Sequence, residues 1–117
     1  MGASNLFKVR KDAYELRKTA VSATYTVRVG SSDDGHHIDR VITITNPTAD
    51  FTITAPAGAY FGQQLLITLL ENDNGVTVTG YKAVPDSSLE MTDVGDYVSL
   101  EYVNDTAGWI ILASQVD

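Results

Sequence analysis

The chain has 117 residues, 44% of them hydrophobic, and a formal net charge of −7 at pH 7. This length favours one domain with its own core, and the absence of cysteine excludes disulfides, thiolate metal sites and a cysteine nucleophile. No apolar run approaches the ~20 residues of a membrane-spanning helix, and the N-terminus lacks the apolar centre of a secretory signal, so we expect synthesis in the cytoplasm and no membrane insertion.

Charge is divided unevenly along the chain. Residues 1–30 carry six Lys or Arg against two Asp or Glu, whereas residues 31–117 carry two against thirteen. An acidic body repels nucleic acid and anionic membranes, and a short basic segment favours contact with an acidic protein surface. We therefore expect protein partners rather than nucleic acid or membrane.

The first segment is predicted to be an N-terminal arm, residues 1–20, that precedes a body of residues 21–117. Residues 5–20 place apolar side chains at helical spacing, with Asn5 in position to cap the start. The apolar stripe is narrow and a lone helix of this length is marginal in water, so an extended arm is the alternative. The side chains expected to contact a partner are Leu6, Phe7, Val9, Arg10, Lys11, Leu16, Arg17 and Lys18.

The body alternates short Thr, Ile, Val and Leu runs with Gly, Pro and Asn at strand-like spacing. ITIT at 42–45 and FTIT at 51–54 each alternate apolar and polar side chains, which predicts one apolar and one polar face. We expect these two runs to pair across the turn between them, with both apolar faces in one core. About eight such strands without a βαβ unit predict an all-β, compact antiparallel sandwich or barrel of jelly-roll type.

The NDNG sequence at 72–75 predicts a β-hairpin between strands at 63–70 and 76–79, because Asn-Gly readily adopts the positive φ angles of such turns. VTVT at 76–79 echoes the ITIT and FTIT runs. There is no fixed period of the solenoid kind, so we interpret the echo as shared strand chemistry.

Two segments, QQLLITLL at 63–70 and WIILA at 109–113, carry apolar residues on both faces of a predicted strand. Few strands of a small two-layer domain are covered on both sides, so another subunit is expected to cover part of this surface. The sequence therefore predicts an oligomer. The residues assigned to its interface are Leu66, Leu70, Ile110 and Leu112.

Candidate catalytic and metal-binding residues are better explained as structural. The DDGHHID cluster at 33–39 holds carboxylates and imidazoles, but the adjacent His36 and His37 point to opposite sides of an extended chain. The acidic turn at 71–75 lacks the downstream Glu of a calcium loop, and no Ser lies in a G-x-S-x-G elbow. We expect a protein that is not an enzyme and that needs no metal or cofactor.

The aromatic residues offer a binding platform for carbohydrate as an alternative to core and interface packing. Packing is the favoured interpretation, since several of these residues alternate in phase with aliphatic side chains. The residues concerned are Tyr60, Phe61, Tyr81, Tyr97, Tyr102 and Trp109.

Several motifs together resemble small β-rich virion proteins of tailed bacteriophages. The matching stretches are ITITNPTADFTITAP from residue 42, FGQQLLIT from residue 61, GVTVTG from residue 75 and VGDYVSLEY from residue 94. The resemblance covers about residues 38–113 and extends both to capsid-decorating (cement) proteins and to fibre or spike modules. It implies a non-enzymatic structural protein, usually trimeric, that is joined to a virion surface.

Between these two groups, the short chain and its own basic arm favour a capsid decoration protein, as does the lack of coiled-coil heptads or a shaft repeat. The expected partners are the major capsid protein and further copies of the chain, as a homotrimer on the capsid surface. The alternative is a tail fibre, spike or baseplate module that binds host glycan. A third class, an enzyme on a cupin-like barrel, would need metal ligands from His36 and His37.

Overall fold

The structure is a computed structural model that describes residues 15–30, 37–45, 47, 49–71, 75–82 and 89–116. Within these residues the chain forms nine strands and no helix, and so contains no helix able to cross a membrane. The strands are β1 Glu15–Val21, β2 Tyr25–Thr26, β3 His37–Ile44, β4 Phe51–Ala55, β5 Gln64–Leu69, β6 Val76–Gly80, β7 Leu89–Met91, β8 Tyr97–Asn104 and β9 Gly108–Gln115.

The strands form two mixed sheets. Sheet A has the order β1-β3-β5-β8-β9, and sheet B has the order β2-β4-β6-β7. The first three strands of each sheet are parallel neighbours, and antiparallel pairing begins only at β8 in sheet A and at β7 in sheet B. The prediction of a compact, strand-rich fold is confirmed, but mixed sheets do not match the antiparallel jelly-roll, and the sheets do not close into a barrel.

The chain crosses between the sheets with nearly every connection, from β1 in sheet A to β2 in sheet B and so on to β6. Each strand of sheet A and the following strand of sheet B form one coil of the chain. Successive coils stack on one another, so their strands are parallel neighbours. The predicted pairing of 42–45 with 51–54 is wrong, because β3 and β4 belong to different sheets. The predicted hairpin at 72–75 is wrong for the same reason, since β5 and β6 also lie in different sheets.

The echo between FTIT and VTVT has a structural cause. These runs are in-register parallel neighbours in sheet B, with Thr52 opposite Thr77 and Thr54 opposite Thr79. The Thr79 hydroxyl donates a hydrogen bond to Thr54 Oγ1 at 3.3 Å. Stacked coils repeat the same environment on each face, so like side chains recur at matching positions.

The core lies between the sheets and is filled by the apolar faces of the alternating runs. Ile42 and Ile44 of β3 lie in the same buried cluster as Phe51 and Ile53 of β4, as the alternation predicts. The facing of these side chains is thus confirmed although their pairing is not. Alternation reports which face a residue occupies and is the same for parallel and antiparallel neighbours.

The last part of the predicted arm belongs to the body. β1 pairs in parallel with β3, and Val21 at its end is buried opposite Ile44. A helix is therefore wrong for residues 15–20, where a sheet partner and a core contact outweigh weak helical spacing. Residues 1–14 lie outside the described residues.

A buried carboxylate ties the first coil together. Asp39 of β3 accepts hydrogen bonds from Thr19 Oγ1 at 2.6 Å, from the Tyr25 hydroxyl at 2.6 Å and from the Arg28 backbone N–H at 2.8 Å. These donors come from β1, from β2 and from the segment after β2. These donors satisfy the buried carboxylate oxygens, which offsets the cost of removing them from water.

Candidate functional site

β9 is the outermost strand of sheet A and pairs with β8. Its sequence, GWIILASQ, has no charged residue and no proline, two of the means by which edge strands avoid pairing with other chains. It also carries three exposed large hydrophobic residues, Ile110 at 40%, Ile111 at 40% and Leu112 at 51%. This combination makes β9 the candidate functional site.

The turn into β9 is held tightly. Asn104 Oδ1 accepts hydrogen bonds from the N–H groups of Thr106 at 2.9 Å and Ala107 at 2.7 Å, which fixes the turn after β8. Gly108 then adopts a φ of 73°. A Cβ at Gly108 would collide with the Tyr81 carbonyl oxygen and would lie 2.7 Å from the Lys82 Cβ. Only glycine fits here, because both the φ angle and the close approach exclude a side chain.

Trp109 anchors the strand in the core. It is 1% exposed, and its indole Nε1 donates a hydrogen bond to the Pro56 carbonyl oxygen at 2.8 Å. Its ring packs edge to face on Tyr102 with a centroid distance of 5.3 Å. The segment after β4 therefore covers the inner side of β9 at Trp109.

The β8–β9 turn is joined to the segment after β6 through Asp105. The Asp105 carbonyl oxygen accepts hydrogen bonds from the Tyr81 hydroxyl at 3.1 Å and from Lys82 Nζ at 2.9 Å. Its carboxylate accepts a hydrogen bond from the Tyr102 hydroxyl. Burial, reinforced by this hydrogen bond, raises the pKa of Tyr102 from 10.0 to about 12. Lys82 holds a φ of 61°, unusual for a residue with a side chain, so the surrounding contacts must stabilise it.

The exposed side chains of β9 lie on different faces of the sheet. Ile111 is opposite Leu100 of β8, which is fully buried, so Ile111 is on the inner face, the side towards sheet B. Ile110 is opposite Glu101 and is on the outer face. The register shifts between Ser99 and Leu100, which leaves Leu112 as the extra residue of a β-bulge.

Among the described residues, sheet A has one strand more than sheet B, and this accounts for the exposure of Ile111 on the edge strand. In strand order, β1, β3, β5 and β8 are the first four strands of sheet A, and β2, β4, β6 and β7 are the described strands of sheet B. Among the described strands, β9 is a fifth that has no counterpart in sheet B. In the part of the chain that the structure describes, the inner face beyond Trp109 is partly exposed at Ile111, and Val116, just after the strand, packs against the core again.

The outer face next to Ile110 is polar. Arg40 Nη2 donates a hydrogen bond to Gln64 Oε1 at 2.6 Å, and Gln64 Nε2 donates one to Glu101 Oε1 at 3.2 Å. This ladder runs across β3, β5 and β8 and ends next to Ile110. Ile110 therefore lies beside a polar side chain on the outer face, whereas Ile111 lies beside the buried Leu100 on the inner face.

Comparison with known proteins does not place the chain in a family: no protein-family model matches it, and no curated protein matches it significantly. Its function is therefore inferred from the residues and their geometry.

The four residues assigned to an oligomer interface do not form one patch. Leu66 is half-buried on the outer face of sheet A, in the row of Ser99 and Ala113, and Ile110 lies on the same face two strands away. Leu70 is exposed but follows the far end of β5, and Leu112 occupies the bulge. The structure thus brings Leu66 and Ile110 to one surface and leaves Leu70 apart.

Most of the predicted capsid-binding arm lies outside the described residues, namely Leu6, Phe7, Val9, Arg10 and Lys11. Leu16 lies in β1 at the position opposite Ile38. Of the last two residues, Arg17 is half-buried in β1 and Lys18 is exposed. Only Lys18, among those with described side chains, is presented openly to a partner.

The candidate carbohydrate platform is divided. Tyr102 and Trp109 are buried and serve packing, as the sequence favoured. Tyr60, Phe61 and Tyr81 are exposed, and their segments bond to the same end of the body: Gly62 N–H to the Tyr102 carbonyl, and Trp109 N–H to the Tyr81 carbonyl. Three exposed rings therefore remain at one end.

The candidate metal cluster is divided as well. Asp39 is buried with its oxygens accepting protein donors, while residues 33–36 lie outside the described residues. In the part of the chain that the structure describes, no group of three or more His, Cys, Asp or Glu could hold a metal ion. Burial, followed by the hydrogen bond to Asp39, raises the pKa of Tyr25 from 10.0 to about 12.

Ile111 is the residue that sequence reasoning missed. Ile111 alternates in phase with Trp109, which correctly predicts that it lies on the inner face. The same phase also predicts that Ile111 is buried, and this prediction is wrong. The sequence signal that was present is the apolar character of both faces over 109–113. The number of strands in the facing sheet decides which face stays open.

Proposed function

We propose that this chain is a structural, non-catalytic protein of a bacteriophage particle, which binds the outer surface of the capsid as an oligomer and stabilises it. The observation that carries the proposal is β9, an uncharged edge strand with three exposed large hydrophobic side chains. An exposed strand of this kind promotes aggregation in a protein that acts as a monomer, and it provides a binding surface in a protein that acts in contact with others. The assignment to a virion comes from the strand motifs at 42–56, 61–68, 75–80 and 94–102.

The charge distribution supports attachment by the N-terminal segment. The basic residues are concentrated in residues 1–30, whereas the rest of the chain is strongly acidic. Basic side chains before β1 can reach an acidic surface of the major capsid protein without bringing the acidic body against it. Weak contacts repeated by each subunit of an oligomer raise the apparent affinity by avidity.

The direct test compares capsids of the source phage assembled with and without this chain. Capsids lacking the chain are incubated with the purified full chain or with a variant that lacks residues 1–14, and binding is measured by cosedimentation. We expect the full chain to cosediment and to add surface density in negative-stain images. The truncated variant, which keeps all described strands, is expected to bind much more weakly. Failure of the full chain to bind would contradict the proposal, and equal binding by both would contradict the role of the arm.

A second candidate function, binding of host glycan by a fibre or baseplate module, is favoured by the exposed rings of Tyr60, Phe61 and Tyr81. Aromatic faces stack on the apolar faces of sugar rings. A glycan array probed with the full chain and with Phe61→Ala tests it. Binding that is lost in Phe61→Ala and retained in Leu70→Ala, a matched change of an exposed apolar residue elsewhere, would support this function over capsid decoration.

A further inference from the structure

We propose that two copies of the chain associate around a two-fold axis through the inner faces of their β9 strands. Each β9 then lies next to the partner's β7 and covers the partner's inner face, so the two overhanging strands fill each other's missing position. The inference rests on the proposed function, since it names a second copy of the chain as the partner of β9.

The first step is the shape of the molecule at this end. In the described residues sheet A ends with β9, and sheet B ends one strand earlier with β7. Two packed sheets are about 10 Å apart, so the difference creates a step one strand wide and one layer deep. A step of this form is self-complementary, because a two-fold rotation places the protruding strand of each copy in the gap of the other.

The second step is the surface that the gap leaves uncovered. Ile111 and Leu100 are opposite each other on the inner face, yet Ile111 is 40% exposed and Leu100 is fully buried. Trp109, two residues earlier on the same face, is covered by the segment that contains Pro56. The described residues therefore cover β9 completely at Trp109 and only partly at Ile111, where an apolar side chain on the inner face stays 40% exposed.

The third step is charge, which favours a second copy and selects the inner face. Two copies with a net charge of −7 each repel one another, so they associate most favourably where charge is absent. β9 has no charged residue, and the outer face beside it presents Glu101 next to Ile110. A strand that is to fill the gap must be uncharged and apolar on one side, and β9 of a second copy has both properties.

The two adjacent isoleucines supply a matched test, since both are 40% exposed and only one is on the inner face. The full chain, Ile111→Ser and Ile110→Ser are compared by sedimentation equilibrium, with circular dichroism to confirm folding. We expect the full chain to be a dimer at micromolar concentration. Ile111→Ser should weaken the dimer on the order of 100-fold, since each dimer loses two buried isoleucines, and Ile110→Ser should weaken it less than about 3-fold.

Cysteine cross-linking keeps the inference testable if Ile111→Ser fails to fold. The chain has no cysteine of its own, so Ile111→Cys and Ile110→Cys each carry a single thiol. Across a two-fold axis at the inner faces, the thiols that Ile111→Cys introduces into the two copies come close enough for a mild oxidant to join them as a disulfide. We expect rapid dimeric cross-linking of Ile111→Cys and little of Ile110→Cys.

Three results would overturn the inference: a monomeric full chain at these concentrations, a trimer, or equal effects of the two isoleucine positions. None of them decides whether the chain binds capsids, because cosedimentation is measured separately. A trimer that binds capsids would retain the proposed function and reject the two-fold arrangement. A dimer that does not bind capsids would retain the two-fold arrangement and reject the proposed function.

Discussion

The rings of Trp109 and Tyr102 pack edge to face at a centroid distance of 5.3 Å and an interplanar angle of 65°, from opposite positions of the β8–β9 ladder. Each ring is also held by a hydrogen bond, Trp109 to the Pro56 carbonyl and Tyr102 to the Asp105 carboxylate. The pair joins sheet A to the segment after β4. It therefore anchors the buried start of β9, from which the exposed part extends.

Replacement of Trp109 should destabilise the fold strongly. Trp109→Ala is expected to lower the free energy of unfolding by about 3–5 kcal/mol through loss of packing. Trp109→Phe should lower it by about 1–3 kcal/mol, since it retains a ring but leaves the Pro56 carbonyl without its donor. Trp109 is the only tryptophan, so urea unfolding is followed by circular dichroism. Ile110→Ala, an exposed neighbour, is the control and should cost less; similar costs for the two alanine variants would refute the anchoring role.

Alanine substitutions at Gly108 and Gly62 distinguish the cost of backbone strain from the cost of a steric collision. Both have positive φ angles, 73° and 85°, but a Cβ at Gly62 meets nothing within 4 Å, while one at Gly108 collides with the Tyr81 carbonyl. Gly62→Ala should cost about 1–2 kcal/mol from strain alone. Gly108→Ala should cost clearly more, because the segment after β6 must move. Equal midpoints of urea unfolding for the two variants would show that the collision is relieved at no cost.

The raised pKa values of two tyrosines should make the folded chain less stable at alkaline pH. The pKa values of Tyr25 and Tyr102 are raised from 10.0 to about 12 in the folded chain. A raised pKa favours the protonated phenol in the folded state, so its contribution is fully present below about pH 10 and is lost as pH rises towards 12. Urea unfolding measured across this range should show that loss. Tyr102→Phe should make the fall shallower; a fall as steep as that of the unaltered chain would disprove this assignment.

The buried Asp39 should be essential to the first coil. Asp39→Ala leaves the donors of Thr19, Tyr25 and Arg28 without their acceptor and is expected to cost about 3 kcal/mol or more. Tyr25→Phe removes one donor and should cost about 1 kcal/mol. Thermal unfolding of both variants gives the comparison. If Asp39→Ala cost no more than Tyr25→Phe, the carboxylate would not be joining the three segments.

Two truncations distinguish the arm from the body. Removal of residues 1–14 leaves every described strand in place and should preserve the unfolding midpoint. Removal of residues 1–20 deletes most of β1 and the Thr19 bond to Asp39, and should lower stability by several kcal/mol or prevent folding. Circular dichroism and urea unfolding of the two variants make the measurement. A stable chain without residues 1–20 would mean that β1 is dispensable.

Much of the candidate site could be inferred from the sequence, but not its open side. The two apolar faces of 109–113 and the packing role of Trp109 follow from alternation. The bulge at Leu112 and the lower number of described strands in sheet B do not. They depend on how many strands each sheet contains, a property of the whole chain.

By itself the sequence determined the β class, the facing of residues such as Ile42 and Ile53, and the division into a basic start and an acidic remainder. Period-two alternation and composition are local properties of each segment, so what they predict does not depend on which strands pair. Only the tertiary structure decided the pairing, in which FTIT and VTVT are parallel neighbours and β1 is part of the sheet. It also left Ile111 partly exposed on the inner face. Strand partners are set by where the chain crosses between sheets, and strands far apart in sequence compete for each position.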